Sequence, residues 1–153
     1  GVIHAILRPV LIYGPHLKGN LGALHKLAGV PVPLPFGSLV NRRSLLALDG
    51  IVSAIVLALD AAFPANETFV VADKHPLALR DLVTSLRAAH GRRPALVPVP
   101  PALLRTALRV ARRTEMWERL GGELVVDVSK LEAAGWRPVE DTGAELRKVA
   151  TTW

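Results

Sequence analysis

The residue types that do chemistry are present in this chain, but their spacing does not assemble a catalytic centre. Five histidines, His4, His16, His25, His75 and His90, share no H-x-x-x-H spacing that would let one helix face offer two ligands to a metal. With no cysteine in the chain, thiolate metal sites and disulfides are excluded, so no metal is expected. None of Ser38, Ser44, Ser53, Ser85 and Ser129 lies in a G-x-S-x-G turn that could raise a nucleophilic hydroxyl. The chain contains neither G-x-G-x-x-G nor a Walker loop, the two common glycine cradles for phosphates. Tyr13 is the only tyrosine, and the residue four positions on is Leu17. No catalytic residue is expected here. What remains is binding chemistry. Arginine forks meet phosphate oxygens through two parallel N–H bonds, and helix starts offer free N–H groups to anions.

Composition narrows the partners. At 153 residues, half of them hydrophobic, the chain can bury a core as one domain or one lobe of a larger protein. The longest strongly apolar stretch, GIVSAIVLAL at residues 50–59, is closed by Asp60, well short of the roughly 20 residues a membrane span needs, so no membrane partner is expected. The net charge is +6 and the pI about 10.5. The basic residues come as pairs, Arg42/Arg43, Arg92/Arg93 and Arg112/Arg113, with no long basic run and no interleaved aromatics to serve as stacking platforms. Nucleic acid is therefore not expected, whereas a small phosphate-bearing ligand needs only one or two well-placed arginines. No charged leader precedes GVIHAIL, and a cytoplasmic location is the expectation.

Strands and helices must position whatever binds. Residues 2–7 read as a buried strand ended by Pro9. YGPHLKGN is a loop, and Asn20 is a candidate N-cap for LGALHKLA, with Leu21, Leu24, Leu27 and Ala28 on one face. Pro31, Pro33 and Pro35 force VPVPLPFG to be extended, RRSLLALD reads as a strand, and Asp49 caps an all-round apolar helix expected to be buried on most sides. ETFVVAD is a strand, PLALRDLVTSLRAAH an amphipathic helix stopped by Gly91, ALVPVP extended, and PALLRTALRVARR a helix with proline in its first turn. ELVVD reads as a further strand, with Asp127 capping VSKLEAAG and Thr142/Glu145 forming a capping box for the last helix. The alternation makes the class α/β.

Several short segments, in their order, carry a resemblance. LRPVLIYGP, NLGAL, NRRSLLALDGI and LVVDVSKLEAAGWRP resemble the second half of the NAD-dependent epimerase/dehydratase family, the extended short-chain dehydrogenase/reductases that act on nucleotide sugars. The match runs through nearly the whole chain. It implies a C-terminal fragment: the last strands of a Rossmann-type sheet plus a small mixed α/β substrate-binding lobe, residues 1–153 forming that one unit. The glycine-rich NAD loop and the catalytic tyrosine would lie upstream, so Tyr13 is not that tyrosine.

The resemblance also implies roles. Arg43 occupies the arginine of the family's R-[S/D]-x-x-x-V-x-D segment, matched as RSLLALD, and is implied to contact phosphate or ribose, with Arg42 its outward neighbour. Asn41 is a further candidate, and Arg113 or Arg119 a second phosphate contact. Asn20 and Leu21 match a helix start that meets the substrate diphosphate; as residues alone, they are equally a cap and a core leucine. Pro35 and Phe36 resemble the segment beside the nucleotide base, or simply cover the core. Arg8 and Pro9 sit where the family closes over the nicotinamide. Trp136 is expected to fill a core or lobe interface.

The implied reaction is UDP-hexose 4-epimerisation, in which bound NAD takes a hydride from C4 of the sugar, an upstream tyrosine is the base, and hydride returns after the keto sugar turns. Alternatives are a nucleotide-sugar reductase or dehydratase, a 3β-hydroxysteroid-type dehydrogenase, or a non-enzymatic dinucleotide sensor. Two positions depart from the pattern: Leu11 stands where a polar residue is usual, and Gly50 where an acid or amide is usual. The fragment alone is expected to be inactive, to bind NAD poorly and to self-associate through exposed apolar surface.

Overall fold

A computed structural model describes residues 4–16 and 19–152, with every side chain among them except those of Met116, Arg119 and Leu120. The first apolar run divides at Pro9, which has no N–H to give to a ladder. Before it, β1 (Ala5–Pro9) runs parallel to β5 (Glu67–Val71); after it, β2 (Leu11–Tyr13) runs parallel to β4 (Leu45–Ala47). Val10 joins the two by donating its N–H to the Val71 carbonyl at 3.1 Å. A third pair is antiparallel, β3 (Arg42–Arg43) with β6 (Leu77–Ala78).

Expected single strands break where a side chain takes a ladder position. RRSLLALD divides at Ser44, whose N–H goes to the Leu124 carbonyl at 2.7 Å and whose Oγ accepts from the Val126 N–H at 3.2 Å. ELVVD is for the same reason no strand: Leu124 alone bridges to Arg43, and the next donor is taken by the serine hydroxyl.

Among the described residues seven helices fill the gaps: α1 (Gly19–Ala28), α2 (Leu48–Ala58), α3 (Leu79–Ala89), α4 (Pro101–Val110), α5 (Thr114–Gly121), α6 (Ser129–Ala133) and α7 (Thr142–Ala150). Three caps differ from expectation. Asn20 lies inside the first turn of α1. The α2 cap position is Ala47, with Asp49 within the first turn, because the Ala47 N–H is already held by the Asp73 carboxylate at 3.0 Å. Asp141 caps α7 through the Ala144 N–H at 2.8 Å, since the Thr142 hydroxyl donates instead to the His75 carbonyl. Asp127 does take the Ser129 N–H at 2.9 Å at the start of α6.

Two cores result. Tyr13, Leu24, Leu45, Leu82, Leu86 and Leu146 pack between α1, α3 and α7, and Leu46, Ile51, Phe69, Leu131 and Trp136 pack between α2, β5 and α6. Leu45 and Leu46 enter different cores because successive strand residues face opposite ways. Each buried leucine contributes about 1.5–3 kcal/mol.

The expectation that α2 is buried on most sides fails. It packs by one narrow face, Gly50, Ile51 and Ala54, and leaves Val52, Ile55, Val56 and Leu59 exposed, because nothing among the described residues covers its other side. No helix of the described residues is long and apolar enough to cross a membrane.

Candidate functional site

Residues 39–44 are clamped between the start of α3 and the segment after α5. The Leu79 and Arg80 N–H groups bond the Asn41 and Leu39 carbonyls at 3.0 and 3.1 Å, and on the other side the Leu124 N–H bonds the Arg42 carbonyl at 3.0 Å. The Asn41 side chain adds a bond, Nδ2 to the Gly122 carbonyl at 3.2 Å. This frame sends Arg42 outward and turns Arg43 half inward, as alternation on a strand requires.

Arg43 is left with unused capacity. Its Nε is buried and has no hydrogen-bond partner among the described residues, and burial pulls its pKa below the ordinary arginine value. A Cβ on Gly122 would sit 3.4 Å from its Nη2, so glycine lets the guanidinium lie close to the chain. An anion's oxygen would satisfy the desolvated nitrogen through a charge-assisted bond. The backbone of Arg119 lies in the last turn of α5, three residues before Gly122; its side chain is outside the described residues.

Beside Asn41, two residues before Arg43, opens a hollow of about 410 Å³ whose walls include Ser38, Pro101, Trp117, Gly121 and Glu123 but not Arg43. Trp117 is the residue that reading the sequence missed. It is half-buried, and a Cβ on Gly121 would come within 2.9 Å of its ring, so the glycine seats the indole against the helix. The tryptophan–glycine pair at i, i+4 on an amphipathic helix was the available signal.

The other candidates are not gathered there. Leu21 and Phe36 are only 5% and 4% exposed and belong to the first core, so their side chains are committed to packing. The extended run expected over Pro35 and Phe36 stops at Leu34, and residues 35–38 form a turn, because the Gly37 N–H folds back onto the Val97 carbonyl at 3.0 Å. Asn20 is exposed near the start of α1. Arg8 and Pro9 are exposed on β1, in a different sheet from Arg43.

Tyr13 is structural. It is 1% exposed, and its hydroxyl donates to Asp73 Oδ2 at 2.7 Å. Burial, then the acceptor Asp73, pushes its pKa far above the phenol range. Burial also raises the Asp73 pKa, against the lowering effect of the Ala47 and Tyr13 hydrogen bonds. Among the described residues no group of three His, Asp or Glu side chains is placed to hold a metal.

No family model matches the chain. A curated relative, UDP-glucose 4-epimerase of Vibrio cholerae, is 35% identical over 147 residues, which make up 95% of this chain and 45% of the relative. The chain thus spans about half the length of the relative it matches. Among solved structures, UDP-glucose 4-epimerase of Thermotoga maritima with UDP-glucose superposes with a TM-score of 0.66 at 19% identity, over 97% of this chain and 45% of that one. The Thermus thermophilus enzyme with NAD gives 0.63 at 24% identity, over 95% and 45%. The chain has the fold of the C-terminal part of a Rossmann-type short-chain dehydrogenase, and in sequence it is similar to the C-terminal part of NAD-dependent UDP-sugar epimerases.

Proposed function

We propose that the chain is the substrate-binding part of a cytoplasmic NAD-dependent epimerase acting on a UDP-linked hexose. The observation that carries this reading is the half-buried Arg43, whose Nε has no partner among the described residues; a hollow walled by Asn41 and Trp117 lies in the adjoining segment. Arg43 takes the diphosphate, with Arg119 as the second cation. Trp117 offers a face for the base. Asn20 and Leu21 contribute through the first turn of α1, where free N–H groups favour an anion. Pro35 and Phe36 contribute through the backbone of their turn. Similarity to UDP-glucose 4-epimerase over 95% of the chain supports the choice of nucleotide.

The described residues do not by themselves fit a dinucleotide. The sequence has no G-x-G-x-x-G, and from this chain only Arg8 and Pro9 on β1 are offered to the nicotinamide side. No reaction step is therefore assigned to its residues. Their part is to hold the nucleotide handle, whose binding energy orients a sugar that reacts elsewhere. We also infer self-association through the exposed face of α2, and sedimentation showing only monomer at high concentration would refute it.

Titration calorimetry of UDP and UDP-glucose, with TDP and GDP as controls, tests the nucleotide reading. Binding selective for UDP and weakened about tenfold or more in Arg43→Ala supports it, since a hydrogen bond to a charged group contributes about 1.5–3 kcal/mol. Binding unchanged in that variant, or no preference among the nucleotides, overturns it.

A further inference from the structure

The excess positive charge has a single location. Residues 82–114 hold seven arginines and no carboxylate, while the rest of the chain carries 12 Lys and Arg against 13 Asp and Glu. The excess positive charge, +7 against −1 for the rest, therefore resides in a segment of 33 residues that contains α4.

That helix lies at the periphery of the fold. It contains no buried residue and packs chiefly on α5. Leu104 and Leu108 are half-buried, but Leu103 and Val110 are 62% and 80% exposed. At 3.6 residues per turn, Leu103, Ala107 and Val110 form one row, while Arg105 and Arg109 lie on the far side. Arg105 and Arg109 border a small hollow with Thr114, Trp117 and Glu118. Arg112 closes the helix in the left-handed region (φ 54°), and Arg113 folds back to the Leu108 carbonyl. None of the four arginines forms an ion pair with a described carboxylate.

An exposed apolar row and a carboxylate-free basic row on one helix meet the two demands of a bilayer surface, apolar burial at the acyl boundary and charge at the phosphates. A nucleic-acid backbone would use the arginines and leave Leu103 and Val110 with nothing to cover them. We propose that α4 is an interfacial helix that lays Leu103, Ala107 and Val110 into an anionic membrane surface, with Arg109, Arg112 and Arg113 at the lipid phosphates. The protein is then peripheral, held by one reversible contact. The sequence reading, which considered only a membrane span, set this partner aside.

The test is co-sedimentation with vesicles of phosphatidylcholine alone and of phosphatidylcholine mixed with phosphatidylglycerol. The expected result is partitioning at least about tenfold stronger onto the anionic vesicles, weakened by salt, because arginines near such a surface add attraction that salt screens. Leu103→Ser with Val110→Ser, both exposed and so harmless to folding, abolishes it. The chain has no cysteine, so Val110→Cys carries a unique environment-sensitive fluorophore whose emission shifts to the blue on anionic vesicles. Equal binding to both vesicle types, binding untouched by the double serine variant, or an unmoved label each overturns the proposal. Duplex DNA binding that survives the serine substitutions, without vesicle binding, also overturns it and gives the basic row to nucleic acid.

Discussion

The Tyr13 hydroxyl and the Asp73 carboxylate, sixty residues apart in sequence, meet at 2.7 Å in a nearly water-free site. Asp73 also receives the Ala47 N–H at the head of α2, so one carboxylate ties the end of β2 to the junction of β4 and α2. This makes the lone tyrosine a structural residue. Tyr13→Phe leaves a buried carboxylate short of a donor and should cost about 1–3 kcal/mol, read as a fall in the urea midpoint. Asp73→Asn, which accepts from Ala47 and donates to the Tyr13 oxygen, should cost less. Equal loss in both would show that the pair does not act as described.

Trp136 is the second anchor. Its ring fills the core under α2, and its Nε1–H donates to Ser53 Oγ at 3.0 Å. Trp136→Ala should cost about 3–5 kcal/mol, enough to threaten folding at body temperature. Trp136→Phe keeps most of the packing and should unfold between the two.

Gly37 lets two irregular segments pair. The Leu34 N–H bonds the Ala95 carbonyl at 3.1 Å, and the Val97 N–H bonds the Leu34 carbonyl at 2.8 Å. A Cβ at Gly37 would stand 2.9 Å from the Val97 carbonyl carbon and the Pro98 nitrogen, which are backbone and cannot swing aside. Gly37→Ala should cost about 1–3 kcal/mol and speed amide exchange at Leu34 and Val97, with the amides of α6 unaffected.

How far the sequence could be read depended on whether the cause was local. The periodicity of PLALRDLVTSLRAAH marked α3 because its apolar residues repeat at helical spacing within one segment. The α/β class followed from the alternation of such segments, and the outward Arg42 from period two. The Tyr13–Asp73 bond was hidden because its partners are far apart in sequence. The division of RRSLLALD was hidden because it depends on Val126 reaching the Ser44 hydroxyl. The exposure of α2 could not be read from its apolar composition, which says that burial is favourable but not what is present to provide it. Arg43 and Asn41, singled out in the sequence, both lie against Gly122. The position of Trp117 beside Asn41 could not be read, since it depends on how α5 meets residues 38–41.

His25 should make the fold sensitive to acid. It is buried on α1, its ring 4.3 Å from that of His90. Burial, and then the nearby His90, holds its pKa below the usual histidine value of 6.5. A histidine whose folded pKa is depressed favours the folded state when neutral, so its contribution is complete above about pH 6.5 and is lost as pH falls further. The melting temperature should drop on acidification through this range, and His25→Gln should flatten that drop. An unchanged profile would remove His25 as the cause.

The central claim is that the nucleotide diphosphate is held at Arg43. The most direct measurement is a titration of the isotope-labelled protein with UDP, followed by amide, arginine Nε–H and indole resonances. The account predicts saturable shifts at Arg43 Nε–H, Asn41, Gly122 and the Trp117 indole, absent with Arg43→Ala. Saturable shifts confined to other parts of the chain, with Arg43 Nε–H unmoved, would contradict it.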